Sequence, residues 1–302
     1  MSSNPNDTAD FCLPPLPPEA APPAPAVPVR LDVGARSHPG CVRPNNEDFY
    51  LVGRASRRLE RLLTNLPEGC VPLLYEEAGY GLLVADGMGG MAAGEVASRT
   101  AVGTLIRIIL DTPDWIMRVD QGRQERLMER IAERFRQVDA AVRAVARTDP
   151  RLTGMGTTMT LAYCLGADVF LGHMGDSRVY LGRGSRLYRL TRDHTYAQAL
   201  ADIGVIPQDE VETHRMRHVL TRAVGACGVS EADVEHVRLG DGDQLLLCSD
   251  GLTDMVDDDT IGAVLRAAKT SDDACQALVE HALSGGGKDN VTVVVARFHF
   301  AE

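Results

Sequence analysis

From residue 29 onward, short apolar runs alternate with turn residues, and a few longer stretches replace that rhythm with a helical one. The short runs lie at 29–35, 49–52, 81–85, 157–165, 169–173, 178–181, 187–190, 244–248 and 291–298, each bounded by turn formers, and they predict strands. Within 124–147, Leu127, Ile131, Phe135, Val138, Val142 and Val145 recur every three or four positions with Arg and Glu between them. That spacing predicts a helix laying one apolar stripe on a core. Val96, Val102, Leu105, Ile106 and Ile109 do the same within 92–110, and a third helical region covers 260–282 with a break near 270–273. Many strands with two helix pairs predict sheets covered by helices. Residues 53–79, Arg-rich at their start and carrying Pro67 and Pro72, read as a long surface excursion between two strands.

Residues 13–28 break the pattern. They read LPPLPPEAAPPAPAVP, which favours polyproline II, offers few amide donors and cannot build a packed core. Residues 1–28 are therefore expected to be a tail or spacer, and the folded part to begin at 29. Proline pairs of the kind that SH3-like grooves accept occur here, but they assign no partner.

Composition narrows the classes. A chain of 302 residues with 44% hydrophobic content can bury a substantial core in one or two domains. A formal charge of −11 argues against a general binder of nucleic acid or anionic membranes, whose surfaces carry excess Lys and Arg. The 7 cysteines are scattered and form no C-x-x-C pair, so reduced thiols in a reducing cytosol are expected. The N-terminus shows no basic segment followed by an apolar one, and no apolar run approaches the roughly 20 residues of a membrane helix. A soluble cytoplasmic protein, working as a monomer, is the expectation.

The candidate chemistry sits where apolar runs end on acidic turns. Asp-Gly closes a strand at VADG (Asp86, Gly87) and again at LLLCSDG (Asp250, Gly251). KDN places Asp289 just before VTVVVARF, and NNED places Glu47 and Asp48 just before FYLV. If these strand ends converge at one rim, several carboxylates share a small volume, and two charges about 4 Å apart repel by about 4 kcal/mol at an effective dielectric near 20. Divalent cations are the natural neutralisers, and an all-oxygen ligand set points to Mg²⁺ or Mn²⁺ over Zn²⁺ or copper.

A phosphate-cradling loop is the competing reading of DGMGGMAAGE. A Walker loop needs a lysine that this stretch lacks. A dinucleotide fingerprint fits loosely through Gly87, Gly89 and Ala92, yet Asp86 would then face a pyrophosphate. The metal reading is the better one, with Gly87 letting its carbonyl approach an ion and Gly89 and Gly90 permitting a sharp turn into the next helix.

Taken in order, RPNNED, VADGMGGMAAGEVAS, GTTM, GDSR, LTRDHT, LTRAVG, LLCSDGL and KDNVT resemble the metal-dependent protein phosphatases of the PP2C (PPM) family in their compact bacterial form. The resemblance runs from about residue 29 to 298. It implies an α+β fold, a four-layer α-β-β-α sandwich of two antiparallel sheets flanked by helix pairs, and one phosphatase domain over 29–302. It also implies hydrolysis of phosphoserine and phosphothreonine in proteins by direct attack of a metal-bridging hydroxide, opposing a bacterial Ser/Thr kinase.

Carried over residue by residue, the resemblance makes Asp86 the bridge between two core ions, Mn²⁺ or Mg²⁺, with the carbonyl of Gly87 on one and Asp250 and Asp289 on the other. Glu47 and Asp48 fix metal-bound waters, Arg43 clamps the substrate phosphate, and Asp176 of GDSR helps hold a weaker third ion. Residues 195–221 correspond to a flap beside the site. Where eukaryotic members often place a proton-donating His after Asp-Gly, this chain has Met88, whose thioether cannot donate. His194 of RDHT is a weaker substitute, expected in the turn leading to the flap.

Other residues read more plainly. Asp257, Asp258 and Asp259 predict a capped helix start, since the pattern of a calcium loop is missing. His38, His173, His214, His218, His236, His281 and His299 show no ligand spacing, and Trp115 reads as packing. A catalytically silent scaffold of the same fold is the rival to an active enzyme. Retention of Asp86, Asp250, Asp289 and Arg43 favours activity.

Overall fold

The computed structural model describes residues 29–67, 70–89, 93–112, 121–226 and 231–300, the side chains of 121–123 excepted. The tail at 1–28, Trp115 and Gly90 lie outside the described residues.

Eleven strands occur among the described residues, in order: β1 (Val29–His38), β2 (Asp48–Glu60), β3 (Leu74–Met88), β4 (Gly156–Thr157), β5 (Met159–Leu165), β6 (Asp168–Met174), β7 (Arg178–Arg183), β8 (Arg186–Arg189), β9 (Asp233–Arg238), β10 (Gln244–Cys248) and β11 (Val291–Phe300). The helices are α1 (Ala93–Asp111), α2 (Gln121–Ala146), α3 (Tyr196–Asp202), α4 (Asp250–Thr253), α5 (Asp258–Ala267) and α6 (Ser271–Ser284). One sheet runs β1-β11-β10-β7-β8 and the other β2-β3-β5-β6-β9, with β4 paired to β3. Every pairing is antiparallel.

The side-chain alternation of the strands builds the layers. On β3, Leu82 and Val84 turn to the core between the two sheets, while Leu83 and Ala85 turn outward under α1 and α2. On β11, Val294 and Ala296 fill the inter-sheet core while Val293 and Val295 meet α5 and α6. Strands covered on both faces read as unbroken apolar runs, which is why 291–298 lacks the alternation of a half-exposed strand. The stripe of α2 is fully buried through Ile131, Phe135, Val138 and Val142. Each such side chain contributes about 1.5–3 kcal/mol of burial. α6 starts on a capping box in which Thr270 and Asp273 satisfy each other's amides, and Asp257 caps α5 by accepting from the Thr260 amide at 2.7 Å.

The structure departs from the sequence reading in two places. Residues 53–79 are mostly ladder, because β2 and β3 stay in register from Asp48↔Asp86 to Glu60↔Leu74, so the irregular link is confined to 61–73. β9, with the sequence DVEHVR, has no apolar run to mark it: as an edge strand it is only half-buried and carries charge at Asp233, Glu235 and Arg238.

Candidate metal centre

The acidic turns meet at one end of the sandwich, in a cleft of about 1040 Å³. Glu47, Asp86, Asp176, Asp250 and Asp289 line it, together with Arg43, Met88, Arg217, His218, Asp254 and Lys288. Asp48 lies behind that wall, buried.

β3 delivers Asp86, and the GTTM segment fixes it. The Asp86 amide donates to Thr158 Oγ1 at 2.9 Å, and its carbonyl accepts from the Thr158 amide and Thr157 Oγ1, each at 2.8 Å. Thr158 Oγ1 also pairs with Ser177 Oγ at 2.7 Å, which ties the same corner to GDSR. Gly87 is needed for close approach: a Cβ there would stand 2.2 Å from the Gly94 carbonyl oxygen, and one at Gly94 would stand 2.3 Å from Glu47 Oε2. The strand end and the start of α1 therefore touch through two glycines, and Gly89 turns between them at φ +148°.

Asn290 closes the opposite wall. Its Oδ1 accepts from the Glu47 amide at 2.7 Å, and its Nδ2 donates to the carbonyls of Pro39 and Asn45 at 3.0 and 2.8 Å. One side chain thus aligns the β1–β2 loop with the KDN turn. Ser249 does similar work from β10, donating to Asp48 Oδ2 at 2.8 Å while accepting from the Thr292 amide at 3.0 Å.

The carboxylates outnumber their partners. Burial, followed by the charge of Asp48, pushes the Asp86 carboxyl well above the usual range, and burial followed by Asp250 does the same to Asp176. Burial lifts Asp48 to about 7 against the hydrogen bonds from Thr292 and Ser249, and Glu47 is raised mainly by desolvation. Asp48 Oδ1 is buried without any hydrogen-bond partner. An all-oxygen cluster with an orphaned buried oxygen fits divalent cations.

Two nitrogen-bearing side chains lean on the cluster. Arg43 donates to Asp289 Oδ2 at 2.6 Å from the exposed rim. His218, on the flap, sets Nδ1 3.7 Å from Asp250 Oδ2 and Nε2 3.3 Å from Asp254 Oδ2. The flap is a closed loop: the Tyr196 amide donates to the Val219 carbonyl and the Thr221 amide to the His194 carbonyl, each at 2.8 Å.

Every sequence-predicted site residue is thus in or against the cleft, and Met88 lines it where a donor would stand. His194 is no proton donor to the cleft. It is buried, its Nδ1 accepts from the Gly175 amide at 3.1 Å, and its Nε2 donates to Asp233 Oδ2 at 2.9 Å. Burial holds its pKa below the ordinary histidine value. Sequence reasoning missed His218, Asp254, Arg217, Lys288 and the pinning roles of Asn290 and Ser249. His218 carried no spacing signal, because the flap brings it to Asp250 across a long loop.

A sequence model of the protein phosphatase 2C family matches residues 74–284. The chain is similar to the serine/threonine protein phosphatase PstP of Mycobacterium tuberculosis, 38% identical over 268 residues, covering 88% of this chain and 45% of that protein. It thus spans about half the length of that curated relative. It is 34% identical over 214 residues to the serine/threonine phosphatase stp of Listeria monocytogenes, covering 71% of this chain and 82% of that protein. The crystal structure of the PstP catalytic domain in complex with 2 manganese ions superposes with a TM-score of 0.70 at 34% identity, covering 90% of this chain and 100% of that one. The S. agalactiae serine/threonine phosphatase gives a TM-score of 0.74 at 26% identity, over 90% and 100%.

Proposed function

The chain belongs to the protein phosphatase 2C family, and on that premise we propose that it hydrolyses phosphoserine and phosphothreonine in proteins with Mn²⁺ or Mg²⁺ held in the acidic cleft. The observation that carries this reading is the convergence of Asp86, Asp176, Asp250 and Asp289 on one cleft whose rim bears Arg43, Arg217 and Lys288. An acidic floor under a cationic rim suits a phosphate monoester met by metal ions.

The roles divide by position. Asp86, held rigid through Thr157 and Thr158, would donate to two ions, with the Gly87 carbonyl helping to hold one and Asp250 and Asp289 the other. Asp176 would help hold a weaker third ion. Bound there, the ions supply an acidified water and an electrophile for phosphoryl oxygens. Glu47 on the cleft wall and Asp48 buried behind it would orient that water. Arg43, exposed above the cleft, exchanges Asp289 for the substrate phosphate, which its guanidinium can grip through two parallel hydrogen bonds. The substrates are phosphorylated proteins, and the partner whose work is reversed is a Ser/Thr kinase in the cytoplasm. No described helix is long and apolar enough to cross a membrane.

The test is release of phosphate from a phosphothreonine peptide with Mn²⁺, without it, and with EDTA. Turnover that needs the ion supports the reading; turnover that survives EDTA, or none under any condition, defeats it.

A further inference from the structure

His218 stands apart from the other histidines because the flap carries it to the acidic floor. Ligand atoms of Asp176, His218 and Asp250 lie within 4.8 Å of one another. Roughly 2.0–2.2 Å separates a divalent ion from its N or O ligands, so donors on one ion stand at most about 4.4 Å apart. Three mutually equidistant donors stand at most about 3.8 Å apart, so the three side chains need a closure on the order of 1 Å to share one ion.

The two ring nitrogens face different tasks. Nδ1, 3.7 Å from Asp250 Oδ2, is too far for a hydrogen bond, and a ring nitrogen of His218 lies within 4.8 Å of ligand atoms of both Asp250 and Asp176. Nε2 lies 3.3 Å from Asp254 Oδ2. A ring with one nitrogen turned to an ion and the other turned to a second carboxylate is the arrangement by which proteins orient metal-ligating histidines. Asp176 is buried and, among the described residues, makes no ion pair, Arg178 being committed to Asp193 at 2.9 Å.

We propose that His218 is a metal ligand: an ion held between Asp176 and Asp250 takes His218 Nδ1 as its third protein donor, oriented by Asp254, and its binding fastens the flap to the cleft. This rests on the metal-dependent reading above but not on the reaction. It has two consequences. The imidazole shifts this position toward Mn²⁺ over Mg²⁺, since nitrogen suits transition ions better than it suits magnesium. The flap, tied at its base by backbone hydrogen bonds and along its length by Arg192 to Asp202 and Arg178 to Glu212, gains an anchor near its C-terminal end.

The experiment compares wild type with His218→Gln in the full chain, in a nitrogen-free buffer. Mn²⁺ titration is expected to show the tight sites unchanged and the weakest site weakened at least 10-fold in the variant. Trypsin cleavage after Arg215 and Arg217 should be slowed by Mn²⁺ in the wild type alone. With ¹⁵N-labelled histidine and ¹¹³Cd²⁺, the His218 ring resonance should show a ¹⁵N–¹¹³Cd splitting. Asp254→Asn should weaken the same site by a smaller factor, a second variant that leaves the ligand in place. Equal weakest-site affinity in wild type and His218→Gln, or an unsplit His218 resonance in cadmium-saturated protein, overturns the proposal. A wild type that shows the splitting but hydrolyses no phosphoester defeats the proposed function and leaves this ligand assignment standing.

Discussion

Asp48 and Asp86 face each other in register across β2 and β3, Asp86 lining the cleft and Asp48 buried behind it. Like charges directly opposite on a sheet are destabilising, and here burial adds to the repulsion. The pair is tolerable when each carboxyl keeps a proton or when a cation takes the proton's place. Mn²⁺ uptake should therefore release protons, so affinity should climb as pH rises through neutrality. At about 100 times its dissociation constant the ion should stabilise the fold by about 2.7 kcal/mol. Calorimetry in two buffers of different ionisation enthalpy checks the proton release, and Asp86→Asn should lose most of the Mn²⁺-dependent stabilisation.

Arg43→Ala should mainly raise KM for a phosphorylated peptide. A charge-assisted grip on phosphate is worth about 1.5–3 kcal/mol, so kcat/KM should fall by about 10- to 100-fold. Steady-state kinetics at saturating Mn²⁺ measure it; unchanged kcat and KM would remove Arg43 from the phosphate.

Asn290→Ala deletes one acceptor and two donors that join the β1–β2 loop to the KDN turn. A loss of roughly 2–3 kcal/mol is expected, since each net hydrogen bond contributes about 1 kcal/mol and the stranded partners add to the cost. Urea unfolding of the metal-free protein reads it, and turnover should fall with it because Glu47 and Asp289 lose their common support.

His173 supplies an acid-sensitive element away from the metal residues. Its Nδ1 accepts from Thr160 Oγ1 at 2.9 Å, its Nε2 donates to the Arg192 carbonyl at 3.1 Å, and its ring packs 4.7 Å from that of His194. Burial, then the neighbouring His194, lowers its pKa from 6.5 to about 3. The unfolded chain then binds a proton that the folded chain refuses, so this contribution is complete above pH 6.5 and is lost as pH falls toward 3. Urea unfolding across that range should show a shallower pH slope in His173→Leu than in wild type, by up to one proton.

Removal of residues 1–28 should leave kcat on a small phosphoester unchanged, because their composition offers no core. A large loss measured with p-nitrophenyl phosphate would show that the segment contributes to the site.

The sequence by itself determined most of the strands, the long helices and where the acidic turns fall along them. Apolar runs without alternation mark strands covered on both faces, the stripe from Leu127 to Val145 marks α2, and Asp-Gly at strand ends places Asp86 and Asp250 at a rim. These signals are local, set by backbone geometry and by side chains a few residues apart. Tertiary structure alone decided the rest. The 53–79 excursion became ladder because its register continues from β2 and β3, a fact of pairing that no short window contains. β9 hid because an edge strand needs only one buried face and tolerates charge on the other. His218 had no neighbour in sequence to betray it. It reaches Asp250 only because the Thr195–Leu220 bridge closes the flap, and a ligand recruited by loop closure leaves no periodic trace in the chain that carries it.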